Sequence, residues 1–359
     1  MKLRPKTPSS FWLSLLVLAG ITSIAYADHL VASVSLAFLY FLPLALSGLI
    51  HRLTTSLLLV FVCVGLSDWF GSLEHTGWRH GTRNLMALIG FTSVVLFVNR
   101  LSVQRTALAA EVHAQAEELA QDMKLAAEVQ RRLLPQHPPS VPGFDIAAQT
   151  YPARVVDGDL YDFIEMQNGN LGLVIADVAG KGVAAGLFMP AVKIALRASF
   201  NHAGNLAMAM TKANQVIYEL TDEERFASLF YGILDTTTRR LCYINAGHQP
   251  PLLWRGSTGE VVWLETGGPV MGLLPDVHFE TGSVELLPRD LLVLYTDGVV
   301  ETHNAAGEEF SRDRLLAVVA SHSGAAAQHV AETIHTSVVG FSKTGRPEDD
   351  LTLVILKAE

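Results

Sequence analysis

Four apolar segments fill the first hundred residues, and they constrain the possible fold more than any other feature of this chain. They are Phe11–Ala27, Leu30–Ile50, Leu53–Phe70 and Leu85–Val98. A helix needs about 20 apolar residues to cross a bilayer core, so each segment is near spanning length, although the last two are short. Pro43 can kink the second segment, which membrane helices tolerate. The sequence therefore predicts an all-α transmembrane region of about four helices over residues 1–100.

Net charge divides the chain at the same place. Residues 1–100 hold seven Lys and Arg against three Asp and Glu, a net charge of +4, so the total of −9 leaves −13 for residues 101–359. An acidic soluble part without a Lys/Arg stripe excludes nucleic acid as a partner. The two cysteines, Cys63 and Cys242, form neither a disulfide framework nor a metal motif.

Basic residues predict the orientation of the spans. Lys and Arg flank the first span, separate the second from the third and follow the fourth, at Lys2, Arg4, Lys6, Arg52, Arg100 and Arg105. Such residues mark the cytoplasmic side, which predicts a multi-pass protein of the cytoplasmic (inner) membrane with a cytoplasmic remainder. An alternative is a signal peptide cleaved after Ala25-Tyr26-Ala27, and it leads to the same side. The outward loop Gly71–Asn84 carries His75, Trp78 and His80, which favour an aromatic interface belt over a sensor pocket.

A helical connector is predicted over residues 101–142. Residues 101–134 are rich in Ala, Glu, Gln and Leu, and they contain neither Gly nor Pro. Apolar residues recur at near-heptad spacing at Leu101, Leu108, Val112, Leu119, Ala126, Val129 and Leu133. A homodimer through this helix and an amphipathic helix packed on its own domain are both consistent with the pattern. Prolines 135, 138, 139 and 142 then end the helix.

The remainder, residues 143–359, is predicted to be one α+β domain. Strands are expected at 144–150, 160–166, 171–176, 228–235, 239–245, 251–254, 260–264, 290–296 and 351–357. Helices are expected at 183–201, 205–220, 311–321 and 325–341. Strands grouped in hairpins and helices in consecutive pairs are typical of α+β rather than alternating βαβ folds.

Four aspartates stand at the ends of these strands: Asp159, Asp177, Asp297 and Asp349. An Asn-Gly turn between the first two predicts a hairpin that places them side by side. If the strands beside the other two pair antiparallel, those acids also share one sheet end. A single Asp-Gly or Asp-Asp is most simply a turn or a solvated edge. Four cases in one domain favour a site for a hard divalent cation.

Five ordered motifs carry a family resemblance over residues 125–357. They are 152–162 (PARVVDGDLYD), 177–185 (DVAGKGVAA), 245–251 (NAGHQPP), 295–301 (YTDGVVE) and 349–352 (DDLT), and the helix end 127–135 (AEVQRRLLP) precedes them. Together they resemble the SpoIIE/RsbU-type serine phosphatases, the bacterial branch of the metal-dependent protein phosphatase 2C-like family. The resemblance does not extend over the membrane part.

The resemblance implies a phosphatase 2C-like β-sandwich flanked by helices, and two Mn²⁺ or Mg²⁺ ions held in a cleft. Asp159 would bridge both ions, Leu160 would offer its backbone carbonyl, and Asp177, Asp297 and Asp349 would complete the ligands. A metal-bound water would attack the phosphorus of a phosphoserine directly. The substrate implied is a phosphorylated regulatory protein such as an anti-sigma-factor antagonist.

Each of three positions near these motifs has more than one candidate role. Asp157 replaces the first Gly of the family's Gly-Gly-Asp, and a turn residue is favoured over an added ligand or a group that repels phosphate. Lys181, between two glycines, is a candidate for substrate binding, with surface charge as the alternative. His248 is a candidate proton donor to the leaving serine, with a structural role as the alternative.

The sequence leaves other functions to compare. A non-catalytic membrane receptor or scaffold could keep the same fold to bind a signalling partner, but all four ligand aspartates are present. A sensor histidine kinase would need a phosphoacceptor in the connector, where His113 stands alone, and ATP-binding glycine boxes, which do not follow. The leading prediction is therefore a membrane-tethered, metal-dependent phosphoserine/phosphothreonine phosphatase.

Overall fold

The computed structural model describes residues 8–30, 36–70, 78–166, 169–180, 182–200, 205–220 and 225–359. The chain divides into two compact units, Met1–Glu118 and Leu119–Glu359. This division falls within the predicted connector helix, whose last residues belong to the second unit.

The first unit is helical, as predicted. Its helices are α1 (Pro8–Leu30), α2 (Phe41–Ile50), α3 (Leu53–Phe70) and the start of α4 (Trp78–Leu133), and a 3-10 turn, Ala37–Tyr40, precedes α2. By length and composition, Phe11–Leu30 and Asn84–Leu133 can cross a membrane, whereas Phe38–Ile50 and Leu53–Trp69 are shorter apolar helices. Val183–Phe200 also meets the length and composition criteria. It packs on a sheet of the second unit, however, and was not predicted as a span.

The predicted segment Leu30–Ile50 is not one helix. Helix α1 continues to Leu30, and α2 begins only at Phe41. Pro43 therefore lies in the first turn of α2, where a residue without an N–H group costs no hydrogen bond, and it does not kink a longer helix. Of the predicted outward loop, His75 lies outside the described residues, and only the backbone of Trp78 and His80 is described.

Helix α4 joins the fourth predicted span and the connector without a break. The apolar residues of its predicted heptad, such as Leu108 and Leu119, are largely exposed. The span part of α4 packs in the first unit, where Phe91 and Val95 are buried. In the connector part, burial is found at the carboxyl-terminal end, where Gln130 is buried and Leu134 follows the helix in the core.

The second unit contains two sheets. One has the strand order β1-β11-β10-β6-β7, and the other has the order β2-β3-β4-β5-β8 with β9 also paired to β5. The strands are β1 (Phe144–Tyr151), β2 (Asp159–Glu165), β3 (Leu171–Val178), β4 (Ala227–Asp235), β5 (Arg240–Ala246), β6 (Leu252–Trp254), β7 (Val261–Trp263), β8 (Gly267–Gly268), β9 (Gly282–Glu285), β10 (Leu291–Tyr295) and β11 (Leu351–Ala358). The helices are α5 (Val183–Phe200), α6 (Leu206–Leu220), α7 (Asp297–Val300), α8 (Ser311–His322) and α9 (Ala327–Phe341).

Alternating side chains place the first sheet between two cores. In β10, Leu292 and Leu294 join a core shared with the second sheet and with α5 and α6. Leu291, Val293 and Tyr295 join a second core with α8 and α9. Because successive side chains of a strand point to opposite faces, this pattern buries both faces of the strand. The result is a β-sandwich with helices on both outer sides, which confirms the predicted fold class.

Three short elements of the second unit were not predicted. Strand β8 consists of two glycines, and a Cβ on Gly267 would lie 1.9 Å from the Asn245 carbonyl oxygen. Such close approach of two backbones requires glycine and leaves no side-chain pattern to read. The other two elements, β9 and the single-turn α7, are too short to give a periodic signal.

Candidate active site

The hairpin of β2 and β3 places the first two aspartates opposite each other. Asp159 pairs with Asp177, and Leu160 pairs with Ala176 one step further into the hairpin. Directly opposite residues of an antiparallel pair have Cβ atoms about 5 Å apart. The predicted pairing of these acids is therefore confirmed.

The other two aspartates, Asp297 and Asp349, lie together at one end of the first sheet. Strands β10 and β11 are antiparallel, with Tyr295 opposite Leu353. Asp297 follows β10, and Asp349 precedes β11. A Cβ on Gly298 would lie 2.2 Å from the Asp350 carbonyl oxygen and 3.1 Å from that of Asp349. The glycine after Asp297 thus permits a backbone contact that brings these two acidic segments together.

Thr296 connects the two pairs of acids. Its hydroxyl donates a hydrogen bond of 2.8 Å to Oδ2 of Asp159 and accepts one of 2.9 Å from the Thr352 N–H. Both threonines are fully buried. The carboxylate of Asp159, on the second sheet, is therefore held by a residue that directly precedes Asp297 on the first.

Asp350 makes a second connection between the sheets. Its Oδ1 accepts the Ala153 N–H at 2.8 Å, and its Oδ2 accepts the Gly158 N–H at 3.0 Å. Both oxygens are thus engaged by the loop that leads to Asp159. The assignment of Asp349 rather than Asp350 as the cation ligand stays a prediction.

Burial and crowding of carboxylates define the electrostatics of the site. Asp159 is 2% exposed. Burial, followed by the negative charges of Asp157 and Asp177, raises its pKa well above the usual range, and hydroxyl groups of Thr352 and Thr296 partly oppose this. Neutral hydroxyls cannot balance several close carboxylates, whereas a hard divalent cation can. The all-oxygen donor set therefore fits Mg²⁺ or Mn²⁺. Within the described residues, no three His, Cys, Asp or Glu side chains are already arranged to hold an ion.

Asp157 lies in the turn before β2. Its Oδ1 accepts the N–H of Asp159 at 2.7 Å, and its Oδ2 accepts the hydroxyl of Thr150 at 2.9 Å. A carboxylate bonded to the N–H two residues further on is the usual Asx-turn arrangement. Burial, and then the neighbouring Asp350, raises the pKa of Asp157 to about 8. These contacts support the turn interpretation of this residue.

Comparison with known proteins identifies the family. The family described as Stage II sporulation protein E (SpoIIE) matches residues 167–359. The chain belongs to the SpoIIE family. It is 28% identical to the phosphoserine phosphatase RsbU of Bacillus subtilis over 241 residues, which cover 67% of this chain and 71% of RsbU. It is also 28% identical to the phosphoserine phosphatase RsbP of the same species over 150 residues, 41% of this chain and 37% of RsbP.

Solved structures confirm the SpoIIE-family fold. The SiaA-PP2C domain of Pseudomonas aeruginosa has a TM-score of 0.62 at 20% identity, covering 68% of this chain and 99% of that one. The RsbU and RsbW domains of Rv1364c from Mycobacterium tuberculosis have a TM-score of 0.53 at 25% identity, covering 62% of this chain and 63% of that one. The second unit therefore has a phosphatase 2C-like fold. The family match and the similarity to named phosphoserine phosphatases show that the protein is a serine/threonine protein phosphatase.

Of the two residues predicted to bind substrate, the part of the chain that the structure describes includes His248. His248 is 5% exposed, and its Nδ1 is 2.8 Å from the Ser228 hydroxyl. Burial lowers its pKa to about 4, so the imidazole is neutral at pH 7. Because Ser228 stands opposite Asp177, these contacts favour a role in supporting the strand pair, and substrate binding by His248 stays a prediction. Lys181 lies outside the described residues.

Sequence reasoning missed several residues that hold the SpoIIE-family acids in place. Thr150, Thr296 and Thr352 are hydroxyl partners within the cluster, and Gln130 binds the turn at Asp157. The one signal for the threonines was their position next to an acidic motif or inside a buried strand. Nothing in the helical pattern of the connector distinguished Gln130 from its exposed neighbours.

Proposed function

We propose that this protein is a metal-dependent phosphoserine/phosphothreonine phosphatase with two divalent cations, Mn²⁺ or Mg²⁺. Asp159, Asp177, Asp297 and Asp349 would hold them together with the Leu160 carbonyl. Bound there, the cations supply an acidified water and neutralise phosphoryl charge. The supporting observation is the hydrogen bond from Thr296 to Asp159, because it joins the acidic ends of the two sheets.

The chain's own residues perform two tasks in this proposal. The opposed strands β2 and β3 set the separation of Asp159 and Asp177, and the Gly298 contact sets that of Asp297 and Asp349. Buried hydroxyls fix the direction of the Asp159 carboxylate before any ligand arrives. Such preorganisation lowers the reorganisation needed during the reaction.

The proposed substrate is a phosphorylated regulatory protein of the anti-sigma-factor-antagonist type. RsbU and RsbP are named phosphoserine phosphatases, and a structural neighbour contains RsbU and RsbW domains. The acidic soluble part of the chain, with a net charge of −13 from the totals above, is consistent with a protein rather than a nucleic-acid partner.

We also propose that the protein is a multi-pass protein of the cytoplasmic membrane with the phosphatase domain in the cytoplasm. The apolar helices of the first unit and the basic residues between them support this. Exposed apolar residues along α4, including Leu101, Leu108, Val112, Leu119 and Val129, support a homodimer through the connector.

Phosphate release from a phosphoserine protein, measured with the full chain in nanodiscs with Mn²⁺, tests the catalytic proposal. Asp159→Asn and Asp177→Asn are expected to abolish release, and Asp276→Asn, at an exposed aspartate, is expected to leave it unchanged. Hydrolysis that persists in a chelator, or in Asp177→Asn, would rule out the metal-dependent site. No hydrolysis of any phosphoserine protein would favour the receptor or scaffold alternative.

A further inference from the structure

Gln130, in the last turn of α4, binds the main chain next to the acidic cluster. Its Oε1 accepts the Asp157 N–H at 3.0 Å, and its Nε2 donates to the Asp157 carbonyl at 2.5 Å. Gln130 is 7% exposed, whereas the neighbouring Val129 and Arg131 are exposed. A single amide side chain therefore engages both hydrogen-bonding groups of one residue in the loop that leads to Asp159.

With this double contact, side chains bind all three backbone N–H groups of the segment 157–159. The Asp157 N–H is bound by Gln130, the Gly158 N–H by Asp350, and the Asp159 N–H by the carboxylate of Asp157. Each of three successive peptide groups thus has a side-chain partner. Asp159 is the last residue of this segment. The orientation of the peptide group at Asp157 therefore controls where the Asp159 carboxylate points.

The surrounding packing leaves little room for Gln130 to move. A Cβ on Gly186 of α5 would lie 2.1 Å from Cγ1 of Val156 and 3.1 Å from Nε2 of Gln130, so α5 contacts the segment through its backbone. The chain just beyond Gln130 is also attached. The Leu133 carbonyl accepts a hydrogen bond from Lys193, and the Pro135 carbonyl accepts one of 3.0 Å from Tyr161.

We propose that Gln130 is a positioning residue of the phosphatase, which sets the orientation of the Asp159 carboxylate toward the divalent cations through the main chain of Asp157. This inference rests on the function proposed above. A purely structural residue would stabilise the fold without affecting cation affinity, and the two roles therefore differ in a measurable way.

Three variants of the full chain separate these roles. Gln130→Leu removes both contacts and is expected to weaken Mn²⁺ binding by about 10- to 100-fold, the usual effect of losing a group that orients a metal ligand. Gln130→Glu keeps the acceptor for the Asp157 N–H but loses the donor to its carbonyl, so a smaller loss is expected. Gln121→Leu makes the same change at an exposed position of the same helix and is expected to bind Mn²⁺ like the wild type.

Mn²⁺ affinity is measured by calorimetry on each variant in nanodiscs, together with the unfolding midpoint without Mn²⁺. Weaker binding by Gln130→Leu and Gln130→Glu, with Gln121→Leu unchanged, would support the proposal. Equal affinity in Gln130→Glu and the wild type would overturn it, even if Gln130→Leu is too unstable to purify. Absence of Mn²⁺ binding by the wild type would instead refute the proposed function, and this inference with it.

Discussion

The buried His248 makes the stability of the phosphatase domain depend on pH in a defined direction. Burial lowers its pKa from an ordinary 6.5 to about 4 in the folded protein. Between these values the unfolded chain gains a proton on His248 that the folded chain does not. The contribution of His248 to the free energy of unfolding is therefore fully present above pH 6.5, and it is lost as the pH falls toward 4.

The magnitude follows from the same two pKa values. One pKa unit corresponds to about 1.4 kcal/mol, so the difference between 6.5 and about 4 amounts to about 3 kcal/mol. A domain of ordinary stability unfolds with about 5–15 kcal/mol, and this loss is thus readily measured. Asp157, whose pKa is raised to about 8, has the opposite effect on the free energy of unfolding. The folded state binds its proton more tightly, so its contribution falls as the pH rises toward 8.

Comparison of the wild type with His248→Gln isolates the histidine, since the variant keeps a polar side chain but has no titrating group there. Urea unfolding of the unit Leu119–Glu359 is followed at intervals from pH 7.5 to 4, with a chelator present. The difference in unfolding free energy between the two proteins is expected to shrink by about 3 kcal/mol as the pH falls. His278→Gln, at an exposed histidine, is the control. Parallel stability curves for wild type and His248→Gln would refute the reasoning.

Three further predictions concern the acidic cluster and the connector. Thr296→Val is expected to weaken Mn²⁺ binding by about 10- to 100-fold and Thr296→Ser much less, because only the hydroxyl orients Asp159; calorimetry measures both. Gly298→Ala is expected to lower the unfolding midpoint, because the added Cβ would lie 2.2 Å from the Asp350 carbonyl oxygen. Gly340→Ala, in an open helical position, is instead expected to raise the free energy of unfolding by about 0.5–1 kcal/mol. Leu119→Asp, at an exposed heptad position, is expected to convert a dimer to a monomer in light-scattering measurements, and an unchanged mass would contradict dimerisation through the connector.

The hairpin between Asp159 and Asp177 could be predicted because all of its determinants are local. An Asn-Gly turn and two alternating strands specify the register, and the structure has the predicted pairing. The larger strands and helices were also predictable, since their periodic patterns extend over several residues.

The groups that orient the acids could not be predicted, because their partners are distant in sequence. The Thr296 hydroxyl meets a residue 137 positions away, and Gln130 meets one 27 positions away across a change of element. Sequence patterns report only on residues that are close along the chain. A threonine beside an acidic residue therefore has the same pattern as a threonine at any other strand end. The start of α2 was misplaced for a related reason, because a proline inside an apolar run fits either a kink or a helix start.

The two-sheet origin of the acidic cluster has a consequence for folding. Asp159 and Asp177 come from the sheet of β2 and β3, and Asp297 and Asp349 from the sheet of β10 and β11. The hydrogen bond between Gly158 and Asp350 joins residues 192 positions apart. Neither sheet alone can gather all four carboxylates, so at the proposed site cation affinity would arise only after most of the chain has been synthesised and both sheets have closed. A partly folded or truncated domain would therefore lack part of the site and be inactive. Bound cations would slow the separation of the sheets during unfolding.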